Sequence, residues 1–508
     1  MKKIYKLYFP ILFISVSVTN VVCQSYFSKI INPDYSTSSL VSDIKVSNDT
    51  IMIFTDHFCD ADNALCTSIR YMDHAGNIFA ETLIDSFNMG NREVAHVSSD
   101  YIILSGQELF WPGNSLDFLL VSKSLQNAHR KSFTPFPNFT LINKGLLFWS
   151  GNYYAYGDIQ EYSQSPVKGF IVKLDFKLDS IVDTFIYDFD NAESRVDDLQ
   201  ITPDNNLSFI SKGLQSGTLE TKYRIYKIDS LGNVLDTFVH QSRFNIDLEG
   251  RLQVTSENNL VYLSKSEDYI DVTDIQSIDC QDYSRNWITN LPFDFYSPAR
   301  IYDIKDLALT KNDEIIGCGI VASEDEEGIY YSTGLIFKIN QVGDVEWQRN
   351  INLLNPYYSS GNNNKYRNSS LLTILELENG DLLSTGYVLE LDSLGNNIGF
   401  DLWILKTDSE GCLDKNNCTD FIVSNKKIAL DQIKIYPNPS TDYLDIENQK
   451  PIDQVLILDL TGRIVYSRYY QTNSLSERID ISNLYCGTYI LQLIDSEKEL
   501  SFSRFIKI

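Results

Sequence analysis

A short pattern recurs seven times between residues 47 and 383 and constrains the fold more than any other feature. Each copy is a polar turn followed by three to five apolar residues, often ending at Ser or Gly. The turns are Ser47-Asn48-Asp49, Ser98-Ser99-Asp100, Asn143-Lys144-Gly145, Asp204-Asn205-Asn206, Glu257-Asn258-Asn259, Lys311-Asn312-Asp313 and Glu378-Asn379-Gly380. Successive copies start 45 to 67 residues apart. This recurrence predicts repeated supersecondary units.

A second pattern, a hairpin turn of the form Asp-x-x-Gly between two apolar strands, follows most copies of the first. The clear examples start at Asp73, Asp229, Asn340 and Asp408. The segment from Val121 to Asn127 fits with Asn at the Gly place, Leu178 stands at that place in another copy, and a copy near Cys280 to Trp287 is barely recognisable. Gly supplies positive φ and Asp bonds its own backbone, so each turn predicts a hairpin.

Two hairpin signals in each unit predict four strands per repeat. Seven such units in residues 24–419 predict an all-β, seven-bladed β-propeller, because stacked blades cover faces that one sheet cannot bury alone. The 31 Tyr and 27 Phe are typical of strands. Two stacked sandwiches are the alternative all-β layout.

Residues 1–23 are predicted to be a secretory signal peptide. Lys2, Lys3 and Lys6 supply the positive start, and the apolar run that follows is too short and interrupted for a membrane span. No other stretch is predicted to span a membrane. Cleavage near Cys23 and Gln24 is favoured over lipidation of Cys23, because Val22 stands where a small residue is expected.

Cysteine spacing agrees with export to an oxidising compartment. Cys59 with Cys66, and Cys412 with Cys418, are each close enough to close a small disulfide loop. Neither pair has the spacing or the His partners of a zinc site. The pairing of Cys280 with Cys318 is left open, and Cys486 is predicted to be a lone buried thiol.

The balance of charge excludes two classes of partner. The net charge is −26, whereas nucleic-acid binding and attachment to an anionic membrane surface both depend on clustered Lys and Arg. We therefore expect neither.

The composition changes after Cys418. Residues 420–432 are predicted to be a linker, and residues 433–508 show alternating apolar and polar residues of a small β-sandwich. Four short motifs stand out in this segment: Tyr436-Pro437-Asn438-Pro439, Leu460-Thr461-Gly462-Arg463-Ile464-Val465, Leu484 with Gly487 and Tyr489, and Phe505-Ile506-Lys507-Ile508.

In that order, these motifs resemble the type A C-terminal sorting domain of proteins that the type IX secretion system of Bacteroidetes exports. The resemblance covers about 75 of 508 residues. It implies an Ig-like sandwich and the type IX machinery as a partner. It also implies passage through the periplasm of a Gram-negative bacterium to the cell surface or the medium. It implies nothing about the repeats.

No catalytic motif is found: there is no Gly-x-Ser-x-Gly, His-Glu-x-x-His or phosphate loop. Asp60 and Asp62 resemble the start of a calcium loop but lack its Gly and distal Glu, so they are weak metal candidates. The acidic run 323–328 is predicted to be a solvated loop, and the five His are expected to be surface or packing residues. The pairs Tyr153-Tyr154 and Tyr357-Tyr358 are expected to be exposed, with sugar stacking as the alternative.

Two functions remain open. The first is a secreted or surface-attached, non-catalytic propeller that binds glycan or protein and needs no cofactor. The second is an extracellular polysaccharide hydrolase or lyase with an Asp/Glu pair at the propeller centre. Carboxylates converging at the mouth of a central channel would favour the enzyme.

Overall fold

The structure is a computed structural model. It describes residues 26–31, 40–47, 49–58, 65–85, 87–89, 93–107, 113–161, 167–188, 194–214, 221–242, 250–265, 273–291, 302–324, 330–351, 353, 368–391, 397–413, 434–448, 450–458, 464–470, 474–495 and 500–508. These residues form strands and contain no helix, so none of them belongs to a membrane-spanning helix. The chain divides into two compact units, Met1–Ile336 with Asn350–Asp420, and Phe337–Arg349 with Phe421–Ile508.

Strand β1 (Phe27–Ile31) opens the described chain, and six sheets of sequential strands follow it. The first sheet comprises β2 (Leu40–Ser47), β3 (Thr50–Phe58), β4 (Leu65–Met72) and β5 (Ile78–Asp85). The second comprises β6 (Asn88–Met89), β7 (Ala95–Val97), β8 (Tyr101–Gln107), β9 (Leu116–Ser122) and β10 (Ala128–Phe133), with β6 and β7 both paired to β8. The third comprises β11 (Phe139–Trp149), β12 (Asn152–Glu161), β13 (Lys168–Asp175) and β14 (Ile181–Tyr187).

The next three sheets repeat the same order. The fourth comprises β15 (Asp198–Ile201), β16 (Leu207–Leu214), β17 (Thr221–Ile228) and β18 (Val234–Ser242). The fifth comprises β19 (Leu252–Val254), β20 (Asn259–Lys265), β21 (Thr273–Asp279) and β22 (Arg285–Asn290). The sixth comprises β23 (Tyr302–Leu309), β24 (Ile315–Glu324), β25 (Tyr330–Ile339) and β26 (Val345–Ile351).

The seventh sheet of the described residues joins both ends of the repeat region. It contains β27 (Ser369–Glu376), β28 (Leu382–Leu391) and β29 (Asn397–Thr407), and β1 is its outermost strand. β1 pairs antiparallel with β29 from Phe27 opposite Lys406 to Ile31 opposite Leu402. The indole Nε1 of Trp403 also donates to Ser28 Oγ at 2.9 Å, which joins residues 375 apart in sequence.

The first strands of the sheets form a closed ring. β2 contacts β7, and each of the following first strands (β11, β15, β19, β23 and β27) contacts the next, until β27 contacts β2. A ring of sequential sheets around their first strands is the architecture of a β-propeller. The all-β class and the propeller type predicted from the repeats are therefore confirmed.

The hydrophobic core lies between neighbouring sheets. Met52 and Phe54 of β3 pack with Ile102 and Leu104 of β8 in one such cluster. Tyr154, Tyr156 and residues of β16 form another. The cluster at the closure combines β3 with β29, including Ile51, Ile53, Leu402 and Ile404. Each sheet is thus covered on its faces by the next, as the repeat requires.

A bulge in the first strand recurs and explains a glycine in the second strand of several sheets. The register of β11 with β12, β23 with β24, and β27 with β28 shifts by one residue at residues 143/145, 304/306 and 371/373. Gly157, Gly319 and Gly386 lie opposite these bulges. A Cβ added at each would lie 2.0, 2.2 and 1.9 Å from a backbone carbonyl oxygen of the bulged strand, so only glycine fits.

Two predicted turns are corrected. Asn143-Lys144-Gly145 lies inside β11 and forms its bulge, whereas the turn into β12 is at Ser150 and Gly151, both with positive φ. The expectation of Asn at the Gly place after Val121 is wrong as well. Leu125 has φ 60°, and its N–H donates a hydrogen bond to the carbonyl of Ser122. Leucine therefore holds the left-handed position there.

The described strands after residue 433 form two further sheets. The first comprises β30 (Lys434–Tyr436), β31 (Tyr443–Glu447) and β34 (Ser476–Asp480). The second comprises β32 (Ile452–Leu458), β33 (Ile464–Tyr469), β35 (Gly487–Asp495) and β36 (Leu500–Lys507). Both sheets contribute to one buried cluster, which includes Leu444, Ile479, Val455 and Phe505. This arrangement is a small two-sheet sandwich.

Candidate functional site

A cavity of about 260 Å³ lies at the centre of the ring of first strands. Strands β2, β19, β23 and β27 line it, together with Glu93 just before β7 and Arg251 just before β19. The charged side chains in the lining are Asp43, Lys45, Glu93, Arg251 and Asp306. Apolar side chains complete it, among them Val46, Ala308 and Leu375. The cavity therefore combines hydrogen-bond acceptors, hydrogen-bond donors and apolar surface.

Asp43 is fixed on both of its carboxylate oxygens. Oδ1 lies 3.2 Å from Lys45 Nζ, and Oδ2 accepts a 3.0 Å hydrogen bond from the backbone N–H of Ala95 in the next sheet. Burial raises the pKa of Asp43 although the Lys45 charge opposes this shift. Burial alone would lower the pKa of Lys45, but the charges of Asp43 and Glu93 outweigh it and raise that pKa.

Asp306 in β23 is fixed in the same way, two sheets away from Asp43 around the ring. Its Oδ1 lies 3.6 Å from Arg251 Nε, and its Oδ2 accepts a 3.1 Å hydrogen bond from the backbone N–H of Ile374. Arg251 also donates through Nε to the carbonyl of Lys305 at 3.1 Å. Both cations of the cavity therefore face a carboxylate that is itself bound to the neighbouring sheet.

Glu93 differs from the other two carboxylates. Its backbone has φ 47°, a left-handed conformation that costs a non-glycine residue about 1–2 kcal/mol. The carbonyl of Glu93 accepts a hydrogen bond from Leu146 N–H at 3.0 Å, which ties it to the third sheet. Its carboxylate accepts a long 3.4 Å hydrogen bond from the hydroxyl of Tyr156. Among the cavity carboxylates, Glu93 thus has the weakest of the described hydrogen bonds.

Further buried charges bind the fourth sheet to its neighbours. Asp198 accepts from Leu252 N–H at 2.9 Å, and burial together with the charge of Glu93 raises the pKa of Asp198 to about 8. Lys144 bonds Asp197 and lies 2.9 Å from Asp158. Burial raises the pKa of Asp158 to about 6 although Lys144 opposes it. The same contact therefore recurs around the ring: an Asp of a first strand accepts a hydrogen bond from a backbone N–H of the next sheet.

No motif in the sequence predicts this cavity. Its lining comes from separate repeats, and no single segment carries a motif. A signal was present, because Asp43, Asp198 and Asp306 all lie in first strands, where an apolar residue is otherwise expected. An alignment of the repeats on these strands would have shown them.

The metal and disulfide candidates fall largely outside the described residues. Asp60, Asp62 and Cys59 lie outside, as do Cys418 and residues 325–328 of the acidic run. Cys66 and Cys412 are buried. Because Cys59 and Cys418 lie outside the described residues, both disulfides stay predictions. In the part of the chain that the structure describes, no three His, Cys, Asp or Glu side chains are placed to hold a metal ion.

Three expectations about single side chains are settled. Cys280 and Cys318 are both buried and neither belongs to a disulfide, so they do not pair with each other. Cys486 is free but exposed, so the prediction of a buried thiol is wrong. Tyr153 and Tyr154 are also not exposed, because successive residues of β12 face opposite sides of a sheet covered on both faces. Tyr357 and Tyr358 lie outside the described residues.

The described residues of the sorting motif bind the segment after β30 to the last strand and also contribute to the core of the C-terminal sandwich. Asn438 donates through Nδ2 to the carbonyl of Arg504 at 2.9 Å, and its Oδ1 accepts from Ile506 N–H at 2.9 Å. Tyr436 donates its hydroxyl to Glu447 at 2.6 Å. Tyr489 stacks on Phe505 with 5.5 Å between ring centroids.

The remaining members of the motif show how the chain end is held. The segment after Pro439 pairs with the last strand through Ser440 and Lys507. Gly487 begins β35 and is exposed. Gly462 and Arg463 lie outside the described residues.

Comparison with protein families identifies this segment. Residues 434–507 match the family described as secretion system C-terminal sorting domain. The C-terminal segment is therefore a type IX sorting domain, as predicted, and the chain is exported by the type IX machinery to the cell surface or extracellular space of a Gram-negative, Bacteroidetes-type bacterium. No curated protein matches the sequence.

The solved structures that match the chain have low sequence identity and low TM-scores. The α-L-arabinanase of Penicillium chrysogenum in complex with arabinobiose shares 11% identity at a TM-score of 0.41, covering 62% of this chain and 98% of that one. The β-propeller domain of the Trilobed protease from Pyrococcus furiosus shares 9% identity at a TM-score of 0.35, covering 62% and 94%. The neuraminidase-like protein of bat influenza A/flat-faced bat/Peru/033/2010 shares 8% at 0.39, covering 63% and 95%. TM-scores below 0.5 carry no conclusion about function.

Proposed function

We propose that the mature protein is a secreted or surface-attached, non-catalytic, seven-bladed β-propeller that binds a glycan or protein ligand at its central cavity. Seven sheets whose first strands close on themselves support the blade count. The two-sheet core after residue 433 supports an Ig-like sorting domain. A cleaved signal peptide at 1–23 and a linker at 420–432 complete the proposed domain order.

The contacts that already hold the cavity carboxylates support a binding function. A glycosidase needs one carboxyl group as acid and a second as nucleophile or base, both free to reach the substrate. Asp43 and Asp306 instead each bind a cation and a backbone N–H of the neighbouring sheet. Using either in proton transfer would break a contact that holds two sheets together.

The second candidate function is an extracellular polysaccharide hydrolase or lyase. One observation favours it: three carboxylates and Arg251 line a single central cavity. In that case Glu93, with its weak hydrogen bond to Tyr156, is the expected acid or base.

One experiment separates the two functions. The purified mature chain is applied to glycan and protein arrays, and the same preparation is incubated with polysaccharides while new reducing ends and unsaturated products are measured. Binding without turnover supports the proposal. Turnover that Glu93→Gln abolishes, while fold and binding remain, would establish the enzyme instead.

The proposed disulfides, Cys59 with Cys66 and Cys412 with Cys418, are tested separately. Alkylation without reductant, followed by mass spectrometry, should modify Cys280, Cys318 and Cys486 in the unfolded protein and leave these four unmodified. Modification of all of them would refute both pairings.

A further inference from the structure

The size of the cavity limits what it can hold. Sites for drug-sized ligands usually enclose roughly 300–1,000 Å³, and the central cavity encloses about 260 Å³. A group no larger than one sugar ring or one side chain fits, so a long polymer would enter only by its end.

The charges of the cavity largely compensate each other, since three carboxylates face two cationic side chains and leave one net negative charge. Lys45 pairs with Asp43 and Arg251 with Asp306, and the charge of Glu93 also acts on Lys45. An anionic ligand would face three carboxylates and would have to displace one of them from its cation. A cationic ligand would lose its hydration and would gain only one net negative charge, which is spread over three carboxylates that share two cationic side chains.

The polarity of the lining favours a neutral ligand with many hydroxyl groups. A hydroxyl group both donates and accepts, so it bonds a carboxylate and a cationic side chain without a net charge of its own. Val46, Ala308 and Leu375 add apolar surface to the same cavity. A sugar ring presents C–H groups on its faces and hydroxyl groups at its edge, which matches this mixture.

We propose that the central cavity receives a neutral terminal sugar of a glycan, and that the Glu93 carboxylate accepts a hydroxyl group of that sugar. This inference rests on the proposed binding function and adds the ligand class and a specificity-determining residue. Glu93 is the expected contact because Asp43 and Asp306 are each held by an ion pair and a backbone N–H.

The test uses the mature chain and methyl glycosides of neutral hexoses and pentoses, with methyl glucuronide and methyl glucosaminide as charged probes. Calorimetry and ligand-observed NMR measure affinity. At least one neutral glycoside should bind about tenfold or more tightly than both charged probes. Glu93→Gln should weaken that binding about tenfold, since a bond to a charged acceptor is stronger than one to a neutral amide.

Two further variants separate a local effect from a general one. Ala308→Phe should also abolish binding, because the ring fills the cavity, whereas Glu257→Gln, on an exposed turn, should bind like the wild type. Circular dichroism and urea midpoints identify variants that are merely unfolded. Equal or tighter binding of a charged probe, or no binding of any neutral probe, would overturn the ligand class and leave the proposed binding function in place. Turnover would overturn both.

Discussion

Replacing Gly386 by alanine adds one methyl group where the seventh sheet bulges toward the central cavity. The added Cβ would lie 1.9 Å from the carbonyl oxygen of Ser370 and 2.7 Å from Cα of Leu371. Both neighbours are backbone atoms of β27, so no side-chain rotation relieves the overlap. The bulge at residues 371/373 must then be lost or displaced.

The expected change in stability combines two contributions. Gly→Ala stabilises the folded state by about 0.4–1 kcal/mol, because alanine lowers the conformational entropy of the unfolded chain. Overpacking of a close-packed site costs about 1–3 kcal/mol and occasionally more. Because the overlap is with backbone, we place the cost at the upper end and expect Gly386→Ala to destabilise by about 2–3 kcal/mol. Residues Thr373 to Leu375 follow the bulge and line the cavity, so ligand binding should weaken as well.

Gly380→Ala is the matched control in the same sheet. Gly380 has φ +86° and no atom lies within 4 Å of an added Cβ. The left-handed backbone costs about 1–2 kcal/mol for alanine, which the unfolded-state term partly offsets, so the expected loss is about 1 kcal/mol or less. The control should leave the cavity and its binding unchanged.

Urea unfolding of the mature chain followed by tryptophan fluorescence measures both losses, since buried Trp403 pairs with Gly386 across the strands. Hydrogen exchange of peptides from 369–391 locates the change. If Gly386→Ala proves no more destabilising than Gly380→Ala, then the bulge does not require a residue without a side chain opposite it, and this explanation of the repeated glycine fails.

Three further predictions concern buried charges and the tail. Burial raises the pKa of Asp56 to about 8, above its unfolded value of 3.8. The folded state therefore retains a proton that the unfolded state loses. Stability should fall as pH rises from about 4 to 8, and Asp56 should contribute at most about 1.4 kcal/mol per pH unit to this slope; Asp56→Asn should reduce the slope in urea titrations by that contribution, and an unchanged slope would contradict it. Lys144→Met leaves Asp158 and Asp197 without their shared cation, so thermal and urea unfolding should show a loss of about 3–5 kcal/mol; a loss below 1 kcal/mol would be incompatible with this pairing. Deleting 434–508 should leave the protein in the periplasm, as cell fractionation would show; normal export would disprove the role of the sorting domain.

The strands were predictable where local chemistry decides the structure. The hairpin turns at Gly76, Gly232, Gly343 and Gly411 all have positive φ, because few other residues adopt that backbone at low cost. Leu125 and Leu178 adopt it without glycine, which shows that neighbouring strands impose the turn once the repeat is established. These two turns, like the barely recognisable one at Tyr283, were therefore weaker signals in the sequence than the glycine turns.

The errors arose where tertiary packing decides. Asn143-Lys144-Gly145 has turn composition, but Lys144 is held inside the ring by Asp158 and Asp197. Tyr153 and Tyr154 look like a polar loop, yet the sheets on either side bury both rings. The cavity was missed for a related reason, since closing the ring brings together residues from distant repeats. Only contact between the sheets distinguishes these positions from surface ones.

Pairing of β1 with β29 makes the ring a clasp whose two halves lie at opposite ends of the repeat region. A chain that enters the periplasm residue by residue delivers the first half long before the second. Until residues near Trp403 arrive, β1 has no partner strand and remains an unpaired edge, which is the kind of segment that pairs wrongly or aggregates. The ring therefore cannot close before β29 has entered the periplasm, and this pairing sets the earliest moment at which a finished ring can be offered to the outer-membrane exporter.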